Sequence, residues 1–236
     1  AVIPEEGGHR KFRLLNTGGW FGQNSIDRDS CMAVNTGDEI YLRGQTGCEL
    51  DGSTMYGLGF TPEDAAAQAD QAMKNARELL EEAGSSFDDV CKTRIYIGDR
   101  AYREAIYQVI GKHFGDTHPC STGLIMRGFA RPEIVFEIDM AVTLSKGAPH
   151  RRFRKFHTDE AYKDGQDLGS RFCKAVRAGD RVYLRGQTGT SLAGEFVGYG
   201  DPGAQADQAM KNITTLLEEA GRSEEHTSEL QSHLNL

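Results

Sequence analysis

The sequence predicts an α+β protein built twice: a mixed β-sheet carrying two helices on one face, followed by part of a second copy of the same plan. Three observations carry this reading. YLRGQTG occurs at residues 41–47 and again at 183–189, and Cys31-Met32-Ala33-Val34 stands to Cys173-Lys174-Ala175-Val176 at the same spacing, which marks an internal duplication. QADQAMKN recurs at 68–75 and 205–212, each time ahead of an LLEEAG run, with a shorter loop before the second occurrence. Finally, residues 90–97 and 134–144 alternate apolar and polar side chains, as strands with one buried face do. A unit of about 140 residues is domain-sized, so two copies imply two domains and not a solenoid.

Taken in order, residues 12–15 supply a candidate N-terminal strand. Residues 31–34 and 39–44 flank Thr36-Gly37-Asp38, a hairpin signature with β-rich flanks. Thr61-Pro62-Glu63-Asp64 opens a helix, because Thr61 can cap, Pro62 suits the first turn and the acids complement the N-terminal dipole. Ala65, Ala69, Ala72, Met73, Ala76, Leu79 and Leu80 then form one apolar face up to the C-terminal Gly84. Strand 90–97 is followed by a second helix, in which Tyr102, Ala105, Ile106, Val109, Ile110 and Phe114 recur at helical spacing before Gly115-Asp116. Two more strands, 121–127 and 134–144, complete a β-β-α-β-α-β-β order. With both helices on one face, the other face carries Arg43, Glu137 and Asp139. Such a face suits an oligomer interface or a ligand cleft and not a core.

The expected divisions are 1–148 for a complete unit, 149–221 for a truncated second unit and 222–236 for a non-native tail. RSEEHTSELQSH within that tail resembles a translated short-read sequencing adapter. The second unit, lacking counterparts of the last strands and second helix, is expected to be unstable alone. HRRFRK at 150–155, the densest basic run, falls at the junction and reads as a solvated linker.

Composition narrows the function classes. Hydrophobic residues make up 38% and charged residues 26%, the balance of a globular protein, and no apolar run approaches a membrane span. The net charge of -8 opposes a nucleic-acid surface, which needs a basic patch. Five scattered cysteines without a CxxC spacing suit reduced thiols of a cytoplasmic protein, most of them core fillers. His113, His118 and Cys120 lack metal-site spacing, so neither a metal nor another cofactor is expected.

The ordered series Gly37-Asp38-Glu39-Ile40-Tyr41-Leu42-Arg43-Gly44-Gln45, then QADQAMKNARELLEEAGSSFDDVCKTRIYIGD, then Phe136-Glu137-Ile138-Asp139 resembles the RidA/YjgF (L-PSP endoribonuclease) family. The likeness covers essentially all of the first unit and the first half of the second. It implies the chorismate-mutase-like fold, a homotrimer or pseudo-trimeric assembly with clefts between units, and hydrolysis of reactive enamines and imines to keto acids and ammonia. It also implies an arginine for the substrate carboxylate, because a guanidinium matches a carboxylate bidentately, and a glutamate that orients the attacking water.

Glu137 falls on the glutamate's position. The family's arginine position holds Ser121, its asparagine position Tyr107, its tyrosine position Ser30, and its Ser-Gly-Gln serine is Arg43 ahead of a retained Gly44. These departures place the chain in an atypical branch. Arg43 supplies a guanidinium to substrate, ion-pairs with Glu137 or Asp139 within a subunit or across an interface, or is an exposed arginine. Arg127 is a second candidate whose alternative is a rim charge, and Arg185 and Gly186 are the second-unit equivalents of Arg43 and Gly44. The leading function is a hydrolase acting on a small-molecule imine or enamine. The competing one is a non-catalytic small-molecule-binding or structural oligomer, and the nuclease activity in the family's name is opposed by the acidic charge.

Overall fold

The computed structural model describes residues 8–16, 29–161 and 168–221, so the expectation for residues 222–236 lies outside the described residues. β1 (Arg10–Asn16) pairs antiparallel with β2 (Asp29–Asn35), and β2 with β3 (Glu39–Leu42). The hairpin turns at Gly37, φ +94°, a conformation that glycine adopts without steric cost. β3 and the short β4 (Gln45–Thr46) both pair with β7 (Phe136–Thr143), and the register slips by one residue between them, at Leu42-Arg43-Gly44. β5 (Val90–Ile97) joins β7 antiparallel and β6 (Cys120–Ile125) parallel. Helices α1 (Pro62–Glu82) and α2 (Arg103–Phe114) cover one face of this sheet, sharing a core with Ile40, Ile95, Phe136, Ile138 and Val142. Thr61 caps α1 in a reciprocal box with Asp64, satisfying two of the orphan donors at the helix start.

The second repeat continues the same sheet. β8 (Arg151–His157) and β10 (Arg181–Leu184) flank β9 (Arg171–Ala178), and β9 meets β6 in parallel at Cys120 and Cys173. The result is a 10-stranded sheet in which the second repeat joins the first repeat's β6 edge at its start. The basic run at the junction is therefore strand β8 and not a solvated linker. Arg152 explains how so charged a segment is held: its guanidinium donates to the carbonyls of Asp88 (2.8 Å), Val90 and His118 (both 3.2 Å).

β8 is also the repeat of β1, since RKFR at 10–13 returns as RRFR at 151–154. Arg13 and Arg154 both sit at positive φ, 49° and 50°. Each reaches the helix that follows in its own repeat, Arg13 to Glu82 (Nε to Oε1 3.0 Å) and Arg154 to Glu219 (Nε to Oε2 2.9 Å).

Buried amides explain the literal QADQAMKN repeat. Gln68 donates to the carbonyls of Gly57 (2.9 Å) and Glu133 (2.8 Å) and accepts from Val135 N–H (3.0 Å), while Asn75 donates to Cys48 O (2.7 Å). In α3 (Pro202–Glu219), Gln205 donates to Gly198 O and Asn212 to Thr190 O, each at 2.8 Å. Gly47 and Gly189 close the YLRGQTG motif for the same reason, because a Cβ at either would lie 2.5 or 2.7 Å from Cγ of Gln68 or Gln205. The two helices differ in cover. α1 buries nine residues, whereas α3 buries only Asn212, Leu216 and Leu217.

Gln68→Ala removes three hydrogen bonds and leaves two carbonyls and an amide with a buried partner missing, a loss of about 2–4 kcal/mol. Urea unfolding is expected to show that drop for Gln68→Ala and a change within about 0.5 kcal/mol for the exposed Glu81→Ala; equal shifts would rule out the amide clamp.

Candidate functional site

The register slip at the end of β3 sets the first cluster. An extra residue in a strand kinks it and re-aims its side chains, and here it brings the Arg43-Gly44 backbone over β7. Gln45 fixes the kink by donating to Arg43 O at 2.6 Å. A Cβ on Gly44 would lie 2.1 Å from Glu137 Oε1 and 3.0 Å from Asp139 Oδ1, so only glycine allows the chain this close to the two carboxylates. Glu137 and Arg43 are both half-buried. Burial pushes the Glu137 carboxyl above the usual glutamate range, Asp139 adds to the rise, and Arg43 opposes it. Burial likewise lowers the Arg43 guanidinium, and Glu137 opposes that shift. Tyr96 donates to Asp139 Oδ2 at 3.1 Å.

The second cluster is a cleft of about 350 Å³ between the repeats. The first repeat contributes Tyr107 and Arg103 from α2, Arg100 from the turn before it, Ile97 from β5, and Ser121, Gly123 and Ile125 from β6. Thr158, Phe172 and Arg185 form the opposite wall. Three arginines thus line one cleft, and none of its lining residues is acidic.

Its walls are held together by small residues and backbone. Gly111 in α2 lets the Gly169 carbonyl approach, for a Cβ there would lie 2.2 Å from that oxygen. Ser170 Oγ donates to Tyr107 O at 2.6 Å, and Gly186 N–H to Thr122 Oγ1 at 2.9 Å. The Tyr107 hydroxyl lies where a Cβ on Gly123 would be, 2.3 Å away. Ser121 is buried, and its Oγ has no hydrogen-bond partner among the described residues. Behind Arg185, the Phe156 ring carries both that guanidinium (5.3 Å) and the Lys174 ammonium (5.1 Å). Burial, with Arg185 and Arg154 nearby, brings Lys174 down to about 8.

The expected site residues therefore separate into two groups. Arg43, Gly44 and Glu137 converge on the helix-free face, while Ser121 and Tyr107 meet Arg185 at the junction, with Gly186 bonded to the neighbouring Thr122. Ser30 is not brought to either group; from β2 it pairs with Leu15 of β1. Arg127 does not share the Ser121 face, because β6 ends at Ile125 and Arg127 is exposed beyond it. Phe172, not anticipated as a site residue, lines the cleft, and the signal for it was in hand: the spacing that carries Arg43 to Arg185 carries Ser30 to Phe172. Of the presumed core cysteines, Cys91, Cys120 and Cys173 are buried together at the junction, with Cys120 and Cys173 Sγ atoms 3.8 Å apart. His113 pairs with Asp70 (2.8 Å) and His118 with its own loop carbonyl at Asp116 (2.6 Å).

A fold of this kind, one sheet backed by helices and repeated, belongs to a defined class. The Endoribonuclease L-PSP family model matches residues 26–144 and 167–234, and the chain belongs to that family, its two matched segments agreeing with the duplication. The second segment runs past Gly221 into residues outside those described. Among curated relatives, a RutC family protein of Pyrococcus abyssi is 28% identical over 89 residues, 37% of this chain and 65% of that protein. The 3-aminoacrylate deaminase RutC of Acinetobacter baylyi is 32% identical over 75 residues, 32% of this chain and 59% of that protein. The match thus spans 59–65% of their lengths. Among solved structures, a putative endoribonuclease L-PSP from Entamoeba histolytica is 25% identical with a TM-score of 0.43, covering 49% of this chain and 87% of that one. RidA from a Psychrobacter species is 25% identical with a TM-score of 0.42, covering 49% and 88%. Among the described residues, no helix is long and apolar enough to cross a membrane.

Because folded Glu137 holds its proton more tightly than the unfolded chain does, its contribution to stability falls as pH rises from the ordinary glutamate value through the folded one. Glu137→Gln is therefore expected to unfold at higher urea than wild type at pH 7.5. That gain should vanish below about pH 4, where both states carry the proton. An equal gain at both pH values would assign it to packing and not to charge.

Proposed function

We propose that the chain is a Rid-type hydrolase that deaminates small reactive imines or enamines derived from 2-amino acids. Water adds to the C=N carbon of the imine as Glu137 takes its proton, and Glu137 returns that proton to the nitrogen. The resulting carbinolamine collapses to a C=O bond, the hydroxyl proton passing to the departing nitrogen as the C–N bond breaks, so that ammonia and a 2-oxo acid leave. Arg43 holds the substrate carboxylate in place of the guanidinium that the family pattern would put at Ser121. The observation that carries this reading is the approach of the Arg43-Gly44 backbone to Glu137, a carboxyl whose raised pKa suits a group that must accept a proton near neutrality. The match to a 3-aminoacrylate deaminase supports the same reaction class.

Assembly completes the site in this proposal. In the junction, Arg185-Gly186 faces the β6–α2 edge that carries Ser121, Thr122 and Tyr107. A homotrimer or pseudo-trimeric arrangement would present a like edge to Arg43-Gly44-Glu137, enclosing the reaction between units.

The test generates imino acids in place with an amino-acid oxidase and catalase and follows ammonia and 2-oxo acid. Wild type is expected to exceed buffer, Glu137→Ala to lose about a hundredfold or more of that rate, and Arg43→Gln chiefly to raise KM. If wild type and Glu137→Ala are alike no faster than buffer across amino-acid-derived imines, the enzymatic reading gives way to a non-catalytic small-molecule-binding oligomer.

A further inference from the structure

Cys120 of β6 and Cys173 of β9 stand directly opposite each other where the two repeats join into one sheet. Both are free thiols, both are fully buried, and their Sγ atoms lie 3.8 Å apart. The lining of the junction cleft does not include them, and the deaminase reading gives them no part.

We propose that Cys120 and Cys173 are a modification site, at which a peroxide joins them in a disulfide that staples the second repeat to the first. The proposal is independent of the deaminase reading, because no group assigned to the imine takes part.

The geometry suits the bond. Neighbouring strands run about 4.8 Å apart, inside the Cα separation of about 4.4–6.8 Å that a disulfide spans. Bringing the sulfurs from 3.8 Å to the roughly 2.0 Å of the bond therefore falls to side-chain rotation and not to strand movement. The thiols give up little in doing so. Cys120 reaches Tyr183 O at 3.4 Å and Cys173 reaches Ala175 O at 3.2 Å, and a thiol is a weak donor. Cys31 holds the place of Cys173 in the first repeat, yet it lies opposite Leu14 on β1 and is only half-buried. The facing pair thus belongs to the junction and not to the repeat.

The surroundings decide which sulfur reacts first. A hydrogen bond from Cys120 lowers the Cys173 thiol, burial opposes that shift, and Arg152 and Lys155 of β8 add to the lowering. Burial holds Cys120 well above the usual thiol range and pushes Cys91, in the same cluster, up to about 11. Cys173 is the nucleophile, since the thiolate and not the thiol attacks. Its sulfur takes one peroxide oxygen: the S–O bond forms, the O–O bond breaks, and the released hydroxide combines with the proton Cys173 gave up. The Cys120 sulfur then attacks the Cys173 sulfenic acid. The S–S bond forms, the S–O bond breaks, and the departing hydroxide takes the Cys120 proton as a second water. Two thiols lose two electrons and the peroxide gains them. One residue pair joins β6 to β9, so local opening of that join admits so small an oxidant. Once made, a cross-link between residues 53 apart restricts the unfolded chain and holds the join closed.

The full chain, reduced and freed of reductant, is treated with hydrogen peroxide, alkylated and digested without reduction. Mass spectrometry is expected to find the Cys120 and Cys173 peptides linked with loss of two hydrogens, and dithiothreitol to restore both thiols. The oxidised chain should melt about 5 °C or more above the reduced one, a comparison within wild type that needs no variant to fold. That difference should vanish in Cys120→Ala and in Cys173→Ala, and dimedone should label Cys173 in Cys120→Ala as a trapped sulfenic acid. Cys31→Ser should leave both the link and the shift unchanged. A link from either cysteine to Cys91 overturns the proposal, as does alkylation of both thiols after peroxide has oxidised the half-buried Cys31 and Cys48. A Cys120 to Cys173 link that leaves the melting temperature where it was overturns the staple.

Discussion

Strand β6 is short and, as the edge of the first repeat's sheet, would expose a row of backbone donors and acceptors. Its parallel pairing with β9 at Cys120 and Cys173 covers the start of that edge and fixes how the repeats meet. From this contact follow the packing of Gly169 and Ser170 on α2, the placement of Gly186 on Thr122, and the cleft itself. Parallel pairing contributes less per residue than antiparallel, so the join depends on what surrounds it. Cys91, Cys120, Cys173, Val176 and Ala178 pack into a small apolar cluster there. Tyr183 seals it by sharing a hydrogen bond with Thr143 (2.8 Å) and donating to Glu39 (3.1 Å). Burial pushes the Tyr183 phenol up to about 12.

The repeated motifs turn out to serve this architecture before any chemistry. In YLRGQTG, Gln45 and Gln187 each bind back to the carbonyl of the arginine two residues earlier, at 2.6 and 2.7 Å. The last glycine of each motif yields room to a helical glutamine, and the glutamine and asparagine of QADQAMKN tie that helix to its incoming loop. A buried amide has two donors and an acceptor to satisfy, so substitution at these positions leaves polar groups stranded. Literal identity between the repeats is what such accounting produces.

Most of the fold was legible because its signals are local. Caps, glycine stops and apolar periodicity placed α1, α2 and β5 nearly to the residue. β8 was not legible by those signals, since Arg151, Arg152, Arg154 and Lys155 leave little apolar alternation, and its strand character rests on pairing with β9 and on Arg152 reaching three carbonyls of the first repeat. The site was legible as positions and not as a place. The spacing of the duplication marks Arg185 and Gly186, and would have marked Phe172. That Ser121 and Tyr107 face the second repeat while Glu137 does not depends on a one-residue register slip and on a parallel strand contact, neither of which leaves a mark in composition or period.

Arg43 and Arg185 show how one motif can acquire two electrostatic roles. Their backbones share a motif, a preceding strand and a glutamine clamp, yet the surroundings differ. Arg43 lies beside a strand that brings Glu137 and Asp139, so each charge there modulates the other's proton affinity. Arg185 instead lies on the Phe156 ring near Lys174, across a cleft from Arg100 and Arg103. Mutual repulsion in that second setting is reflected in the lowered Lys174, for which Arg185 and Arg154 are causes after burial. A guanidinium beside a carboxylate pair is compensated within its own unit. The same guanidinium among other cations is held instead against an aromatic face, so one duplicated motif meets opposite electrostatic surroundings at its two positions.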